Sequence, residues 1–189
     1  MTKAELRKLY KARRKALSPK SLIESSEAIT ERVLSNFQLE GKTISLFLPI
    51  ERHHEINTYG LLERAFGIGA KVGLPVADFH HHSLVHKTYT EDTILNLNEF
   101  DIPEPTNGKK IPYDQFDYVF VPLLAVDKKG FRVGYGKGFY DRFLSYCHPN
   151  CKFVGLHLFE LEETILDTDK NDIPLNIVVT PETIHYLNV

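Results

Sequence analysis

The sequence predicts an α/β fold, a three-layer α/β/α sandwich built on a mostly parallel sheet. Apolar runs typical of buried strands alternate along the chain with segments of helical period. Strands separated by helices favour parallel pairing, with ligands beyond the carboxyl ends of the strands. The chain has 189 residues, 42% of them hydrophobic and 25% charged, which indicates one folded domain over residues 1–189.

Two helices are predicted at the N-terminus. Thr2 followed by Glu5 is a capping box, and apolar residues at helical spacing come after it. Ser18 and Pro19 combine a cap with a proline at the first helical position, so a second helix is expected to begin there. Gly41 ends this helical region.

The remaining elements follow from apolar runs and turn residues. The segment 100–105 is predicted to be extended, because each proline disfavours the helical region for the residue before it. A turn is expected at 127–130. The predicted strands are 43–48, 70–76, 84–89, 118–124, 153–158 and, as the last strand, 177–180; the predicted helices are 58–66 and 139–146.

The net charge of −2 conceals an uneven distribution. The first twenty residues contain eight basic side chains and one acidic side chain, a balance of +7, so the other 169 residues carry −9. A basic segment on an acidic body indicates an anionic partner, which could be nucleic acid, a membrane or a phosphate compound. The basic residues are Lys3, Arg7, Lys8, Lys11, Arg13, Arg14, Lys15 and Lys20.

Composition also bears on location. No apolar run approaches the ~18 residues of a membrane-spanning helix, and the basic N-terminus lacks the apolar core of a signal peptide. Cys147 and Cys151, the only cysteines, are expected to be reduced thiols near a helix end rather than metal ligands. We therefore expect a cytoplasmic protein with no membrane partner.

The segment 130–142 carries the clearest chemistry. Glycines at 134, 136 and 138 free the backbone to turn its N–H groups toward one anion, and Arg132, Lys137 and Arg142 add cations. The segment matches neither a Walker A loop nor a dinucleotide fingerprint. Three glycines alone are also consistent with a tight turn between a strand and a helix, but the added charges favour phosphate binding.

The run 121–144 resembles the signature of the 5-formyltetrahydrofolate cyclo-ligases, also called methenyltetrahydrofolate synthetases. The resemblance extends along the chain through shorter motifs in the order typical of that family. These are Lys3-x-x-x-Arg7, Glu55-Ile56-Asn57-Thr58, Ile102-Pro103-Glu104-Pro105 and Asn171-Asp172-Ile173-Pro174. It implies an α/β/α sandwich similar to sugar-phosphate isomerases and coenzyme A transferases. The implied reaction closes 5-formyltetrahydrofolate to 5,10-methenyltetrahydrofolate with ATP and Mg²⁺, releasing ADP and phosphate.

The resemblance also implies a set of site residues. ATP would be bound by Lys3, Arg7, Arg132, Val133, Gly134, Tyr135, Gly136, Lys137, Gly138, Phe139 and Tyr140. The folate substrate would be bound by Leu48, Pro49, Glu55, Tyr135, Gly136, Lys137, Gly138 and Phe139. Asp141 and Asp172 would hold Mg²⁺, and Lys137 and Arg132 would be catalytic, holding the developing phosphate charge.

Residue chemistry agrees with these roles without requiring them. Lys3 and Arg7, four apart on a helix, share a face and can meet the same phosphates, although a solvated basic helix is the alternative. Two carboxylates suffice for Mg²⁺ when phosphates and water complete its shell, but Asp141 could equally be a helix-first-turn acid and Asp172 a turn residue. Glu55 could be a loop acid.

The implied mechanism is substrate phosphorylation. The formyl oxygen attacks the γ-phosphate to give an N5-iminium phosphate, and N10 then closes the ring as phosphate leaves, with no cysteine or serine nucleophile. Asn57, Asn171 and Val126 depart from the residues expected in the family motifs, which affects local contacts.

Two other classes of function remain open. A sugar-phosphate isomerase or transferase on the same fold would use the glycine loop without Lys3 and Arg7. A non-catalytic nucleotide- or nucleic-acid-binding module would use the basic helix, although the acidic remainder and the lack of a nucleic-acid motif argue against nucleic acid. We expect a monomer whose partners are ATP, 5-formyltetrahydrofolate and its polyglutamates. No role is assigned to the histidine clusters at 53–54 and 80–82.

Overall fold

The computed structural model describes residues 1–188. The α-helices are α1 (Lys3–Ala16), α2 (Pro19–Asn36), α3 (Tyr59–Gly67) and α4 (Phe139–Leu144). The strands are β1 (Thr43–Ser45), β2 (Lys71–Asp78), β3 (Ser83–Thr88), β4 (Leu95–Leu97), β5 (Pro103–Pro105), β6 (Lys110–Ile111), β7 (Tyr118–Pro122), β8 (Ala125–Val126), β9 (Arg132–Val133), β10 (Lys152–Leu156), β11 (Ile177–Val179) and β12 (Ile184–Tyr186). Two 3₁₀ turns lie at Glu51–His53 and Tyr113–Gln115.

Eight strands form one central sheet in the order β12-β11-β10-β7-β1-β2-β3-β6. The five strands from β11 to β2 are parallel, whereas β12, β3 and β6 each pair antiparallel with their inner neighbour. Two small antiparallel ribbons, β4 with β5 and β8 with β9, stand apart from it. The predicted α/β class with a mostly parallel sheet is confirmed.

Both faces of the sheet are covered, because alternate residues of one strand enter different apolar cores. In β7, Phe120 packs with residues of α2 and α3 on one face, whereas Val119 and Val121 pack with α4 on the other. The result is the three layers that the sequence predicts. A third, smaller core that includes Leu6 and Tyr10 joins α1 to the β8–β9 ribbon.

The helix starts follow the local signals. The Thr2 hydroxyl accepts the Glu5 N–H and the Glu5 carboxylate accepts the Thr2 N–H, which completes the capping box. Ser18 caps α2 by accepting the Ser21 N–H at 3.0 Å, with Pro19 at the first helical position. Among residues 1–188, no helix combines the length and the apolar character needed to cross a membrane.

Several strand ends differ from the prediction because tertiary partners replace ladder bonds. The predicted strand 43–48 ends at Ser45, and the Phe47 carbonyl accepts the Thr58 hydroxyl instead of a strand N–H. The predicted strand 118–124 ends at Pro122, beyond which the Leu123 carbonyl accepts the Arg14 guanidinium. Strand 153–158 likewise ends at 156, and helix 139–146 ends at 144.

Some short elements were not predicted. The strand at 177–180 ends at 179 and is not the last, since β12 follows it as an antiparallel edge strand. The segment 100–105 is extended only in part: Asp101 is left-handed, with φ of +58°, and regular pairing begins at β5. The Asn98 side chain supports this turn by accepting the Phe100 and Ile102 N–H groups at 2.8 and 3.1 Å.

The strand order reverses between β1 and β7. From β1 the chain passes through α3 to β2 on one side, and from β7 it passes through α4 to β10 on the other side. In a parallel sheet such a reversal opens a crevice outside the carboxyl ends of the two strands. The fold therefore directs the segments after β1 and β7 toward one place.

Two buried histidines make stability depend on pH. His86 and His157 are inaccessible to solvent, and burial lowers the pKa of each ring to about 3. The unfolded chain takes up protons on these rings near pH ~6.5, whereas the folded chain does not. Their contribution to stability is therefore present at neutral pH and is lost as the pH falls below that value.

Lowering the pH from about 7 to about 5 is expected to reduce the free energy of unfolding by about 2 kcal/mol for each of the two rings. Urea unfolding followed by circular dichroism measures this loss. The variant His86→Gln should show a decline smaller by one ring's share, and His148→Gln, at an exposed histidine, is the matched control that should keep the wild-type decline. An unchanged decline in His86→Gln would contradict the prediction.

Candidate active site

A cavity of about 570 Å³ lies beyond the carboxyl ends of β1 and β7, where the strand order reverses. Most of the predicted site residues line it. They are Lys3, Arg7, Leu48, Glu55, Arg132, Gly134, Tyr135, Gly136, Lys137, Gly138, Phe139, Tyr140, Asp141 and Asp172. Val133 and Pro49 do not line the cavity: the Val133 side chain packs into the core beneath α1, and Pro49 is buried.

The glycine loop connects β9 to α4 and forms one wall of the cavity. Gly136 and Gly138 have φ of +92° and +68°, a region that other residues rarely adopt, so glycine is required for this path. The Arg7 guanidinium also packs against Gly136, 3.4 Å from the position that a Cβ would occupy. The loop is thus both left-handed in its backbone and in close contact with α1.

The two predicted cations of α1 reach this wall. Arg7 donates from Nε to the Gly134 carbonyl at 2.9 Å. Lys3 donates from Nζ to the Asp172 carboxylate at 2.5 Å, and both side chains of that pair are largely buried. The helical spacing of four residues therefore places both cations at the cavity, one on the glycine loop and one on a predicted metal ligand.

Arg132 forms more contacts within the protein than the sequence predicts. Its side chain is 6% exposed, donates to Asp141 Oδ1 at 2.7 Å and donates to the Ile173 carbonyl at 2.5 Å. Burial lowers the pKa of this guanidinium, and the Asp141 charge opposes that effect. Arg132 therefore connects β9 to the segment around 173 while its side chain still borders the cavity.

Asp141 and Asp172 come together through the backbone. The Ile173 N–H donates to Asp141 Oδ1 at 3.1 Å, which places the residue next to Asp172 against Asp141. Within residues 1–188, hydrogen bonds reach only Oδ1 of Asp141 and only Oδ2 of Asp172. One oxygen of each carboxylate thus remains open toward a further partner.

Lys137 and Arg142 differ in whether their charged groups are free to bind an anion. Lys137 is exposed at the cavity, and within residues 1–188 its ammonium forms no ion pair. Arg142, expected to present a planar fork to phosphate, instead donates to the His82 carbonyl at 2.6 Å and to the Lys137 carbonyl. It braces the glycine loop, because backbone carbonyls occupy its donors.

Glu55 lies on the opposite wall, in the segment after β1, and is buried. Its Oε2 accepts the Ile50 N–H at 2.8 Å and its Oε1 accepts the Tyr135 hydroxyl at 2.5 Å. Burial raises the pKa of Glu55, and these two hydrogen bonds and the charge of Arg14 oppose the rise. Tyr135 thereby joins the glycine loop to the carboxylate wall.

Arg14 was not predicted as a site residue. It is 3% exposed, and its guanidinium lies 3.8 Å from Glu55 Oε1. A signal was present in the sequence: Leu6, Tyr10 and Arg14 are spaced by four residues, and the first two are core residues of α1. An arginine in that register points inward.

The rim of the cavity is aromatic and includes two residues that sequence reasoning missed. Phe79 lies 4.3 Å from Phe100 and 5.3 Å from Phe139, measured between ring centroids. Arg52 supports the rim by pairing with Asp101 at 2.9 Å and donating to the Phe100 carbonyl at 3.0 Å. Phe79 and Phe100 stand in irregular segments, where apolar periodicity gives no signal.

Three further residues of interest line the cavity: His53, Glu104 and Tyr140. The His53 ring lies against the Tyr135 ring, with centroids 5.0 Å apart and the planes tilted by 30°, and burial lowers the pKa of His53. Glu104 accepts the Ala77 N–H at 2.8 Å, so it supports β2 at the cavity edge. Tyr140 is half-buried, and its pKa is raised by desolvation of the phenol and by the charge of Glu55.

Comparison with known proteins gives a consistent result. The sequence model of the 5-formyltetrahydrofolate cyclo-ligase family matches residues 1–181. The 5-formyltetrahydrofolate cyclo-ligase of Escherichia coli K12 is 32% identical over 182 residues, 93% of this chain and 98% of that protein. The enzyme of the same name from Haemophilus influenzae is 33% identical over 157 residues, 80% of this chain and 83% of that protein.

A solved structure supports the same relationship. The NMR structure of Aquifex aeolicus 5,10-methenyltetrahydrofolate synthetase superimposes with a TM-score of 0.84 at 27% identity, covering 100% of this chain and 94% of that one. The chain belongs to the 5-formyltetrahydrofolate cyclo-ligase family.

Proposed function

We infer that this protein catalyses the ATP-dependent cyclisation of 5-formyltetrahydrofolate to 5,10-methenyltetrahydrofolate, with release of ADP and phosphate. One observation carries the inference: a single cavity joins a cation-lined glycine loop to a wall with a buried carboxylate and aromatic rings. A polyphosphate and a reduced pterin can therefore lie side by side. Family membership supplies the reaction class.

ATP would lie on the glycine-loop wall. Arg7 already contacts that loop and Lys3 lies beside it, so both can donate to the phosphates with little movement of α1. The exposed ammonium of Lys137 is the most accessible cation on the loop. Charge-assisted hydrogen bonds of this kind are roughly twice as strong as neutral ones.

Asp141 and Asp172 would hold Mg²⁺. The donor set fits this ion, because two carboxylates with open oxygens leave the rest of an octahedral shell to phosphates and water. When bound, the ion would neutralise charge on the phosphates. Within residues 1–188, no third His, Cys, Asp or Glu joins the two carboxylates, which is consistent with a nucleotide-bound ion.

The folate would lie between Glu55 and the aromatic rim. A carboxylate accepts the N–H and amino groups of a reduced pterin, and Leu48, Tyr135 and Phe139 offer apolar or aromatic faces beside it. The formyl oxygen of the substrate would attack the γ-phosphate, and N10 would then close the ring as phosphate leaves. Lys137 and Arg132 would stabilise the developing charge on the transferred phosphate.

The setting of the reaction follows from the same proposal. We place the protein in the cytoplasm as a monomer, acting on ATP and on 5-formyltetrahydrofolate with its polyglutamates. Cys147 and Cys151 are both free thiols, which agrees with a reducing compartment.

The direct test is an absorbance assay. Purified protein with ATP, Mg²⁺ and 5-formyltetrahydrofolate should produce the near-ultraviolet absorbance of the methenyl product and one ADP for each product formed. Omission of ATP should abolish the signal. Product-free hydrolysis of ATP, or no reaction under these conditions, would overturn the proposed function.

Arg7→Ala is expected to raise KM for ATP roughly tenfold or more, because it removes a charged donor at the phosphate wall. KM for the folate should change little. Lys8→Ala is the matched control, since Lys8 is an exposed cation on the same helix. Initial rates at varied ATP measure the effect, and equal KM values in the two variants would contradict an ATP role for Arg7.

Chelation of divalent ions by EDTA is expected to stop turnover, and added Mg²⁺ should restore it. Asp141→Asn should raise the Mg²⁺ concentration for half-maximal rate by about tenfold or more, because an amide replaces an anionic ligand. Asp114→Asn, at an exposed aspartate on the second 3₁₀ turn, should leave the Mg²⁺ dependence unchanged. A lower kcat with an unchanged Mg²⁺ dependence in Asp141→Asn would show that Asp141 acts only through Arg132.

A further inference from the structure

Arg14 and Glu55 form a buried pair of opposite charges at the cavity wall. Each side chain is 4% exposed, and Arg14 Nη1 lies 3.8 Å from Glu55 Oε1. The Tyr135 hydroxyl connects them, since it accepts from Arg14 Nη1 at 3.4 Å and donates to Glu55 Oε1 at 2.5 Å. The donor direction therefore runs from the guanidinium through the phenol to the carboxylate.

The position of Arg14 is determined on its far side. Its second terminal nitrogen donates to the carbonyl of Leu123, which directly follows β7. The helix that carries Arg14 is in turn fixed by Leu6 and Tyr10 in the small core. The guanidinium thus has little freedom to withdraw from Glu55, and its charge is a permanent part of that wall.

The surroundings of Glu55 make its ionisation sensitive to the charge of Arg14. Burial is the largest influence on the carboxyl and favours its neutral form, while the Ile50 N–H, the Tyr135 hydroxyl and Arg14 favour the ionised form. The other titratable groups near this wall are Tyr135, Tyr140, His53 and Lys11, whose ammonium lies 5.6 Å from the centroid of the Tyr135 ring. Arg14 is the only cation within ion-pair distance of Glu55 among residues 1–188.

We propose that Arg14 is a positioning residue that keeps Glu55 ionised and oriented as an acceptor for the pterin N–H groups. The proposal rests on the proposed function only in naming the pterin as the group that meets Glu55. A neutral carboxyl would place a proton donor where the pterin also donates. If Glu55 lost its charge, it would therefore also lose a hydrogen bond from the pterin. Arg14 itself touches neither substrate in this arrangement.

The geometry separates Arg14 from the other cations of α1. Arg7 and Lys3 contact the glycine loop and Asp172, on the nucleotide side of the cavity. Arg14, two helical turns beyond Arg7, contacts Leu123 and the Tyr135–Glu55 pair. A loss at Arg14 should therefore appear in folate binding and its pH dependence, whereas a merely structural loss would appear in stability alone.

The test begins with the ionisation of Glu55. In protein labelled with ¹³C at the glutamate carboxyl carbon, the signal absent from Glu55→Gln identifies Glu55. In Arg14→Gln, which removes the charge and keeps a polar donor, this signal should titrate about one pH unit or more higher than in the wild type. Arg13→Gln is the matched control, since Arg13 is exposed on the same helix, and it should titrate as the wild type does.

Kinetics supply the second readout. Arg14→Gln should raise KM for 5-formyltetrahydrofolate about tenfold near neutral pH, with KM for ATP nearly unchanged. More Glu55 is protonated at any given pH in this variant, so the acidic limb of kcat/KM for the folate should move to higher pH. Arg14→Lys, which keeps the charge, should return this limb part of the way to its wild-type position.

The outcomes are distinct. An unshifted Glu55 titration in folded Arg14→Gln overturns the proposal. If Arg14→Gln does not fold by circular dichroism, Arg14→Lys carries the test: its single nitrogen cannot occupy the positions of both terminal guanidinium nitrogens, which donate to Tyr135 and Leu123. The Glu55 signal should then titrate at higher pH than in the wild type, and an unshifted titration overturns the proposal. If the Glu55 titration shifts in Arg14→Gln but the wild-type protein forms no methenyl product, the proposed function is wrong and the Arg14–Glu55 coupling still holds.

Discussion

The parallel pairing of β1 with β7 is the constraint from which the arrangement of the site follows. Ile44 stands opposite Tyr118, and the Asp117 carboxylate accepts the Thr43 N–H at 2.9 Å, which fixes the register of two short strands. Because the strands are parallel, the segments after them leave the same edge of the sheet. Glu55 and Tyr135 can therefore touch although 80 residues separate them. A register shift by one residue would turn the core residues of β1 to the wrong face.

Charge pairing explains how the site holds so many ionised groups with little solvent. Three carboxylates of the cavity each have a cation of their own, whereas Glu104 accepts the backbone N–H of Ala77. The pairs are Lys3 with Asp172, Arg132 with Asp141 and Arg14 with Glu55. An unpaired buried charge would cost several kcal/mol, so the pairs allow the cavity to exist before substrates arrive. In the proposed function the nucleotide would exchange for some of these partners, with Mg²⁺ taking the place of Lys3 beside Asp172.

The signals in the sequence that predicted structure correctly are local ones. The Thr2 capping box, the Ser18 cap and the alternate glycines act through neighbours a few residues away, so one chain is enough to interpret them. Strand ends were missed because contacts outside the ladder end the pairing: the Phe47 carbonyl accepts the hydroxyl of Thr58, eleven residues on, instead of a strand N–H. The edge strand β12 was also missed, although it pairs with the preceding strand β11. The glycine loop and its cations were predictable as a motif. The spacing of Arg14 after Leu6 and Tyr10 indicates that it points inward, but its partner is a carbonyl 109 residues away, which no spacing reveals.

The basic side chains of the first twenty residues divide into cations held at the cavity wall and cations exposed to solvent. On the inner side, Lys3, Arg7 and Arg14 are each held by a carboxylate or a carbonyl of the cavity wall. The other five cations of this segment are exposed. An exposed charge in water contributes little to stability, but several like charges together raise the local concentration of anions around them. The basic segment thus combines two physical effects: fixed cations at the cavity wall, which hold a carboxylate and backbone carbonyls, and solvated cations, whose field favours the approach of anions to a protein whose remaining residues are net acidic.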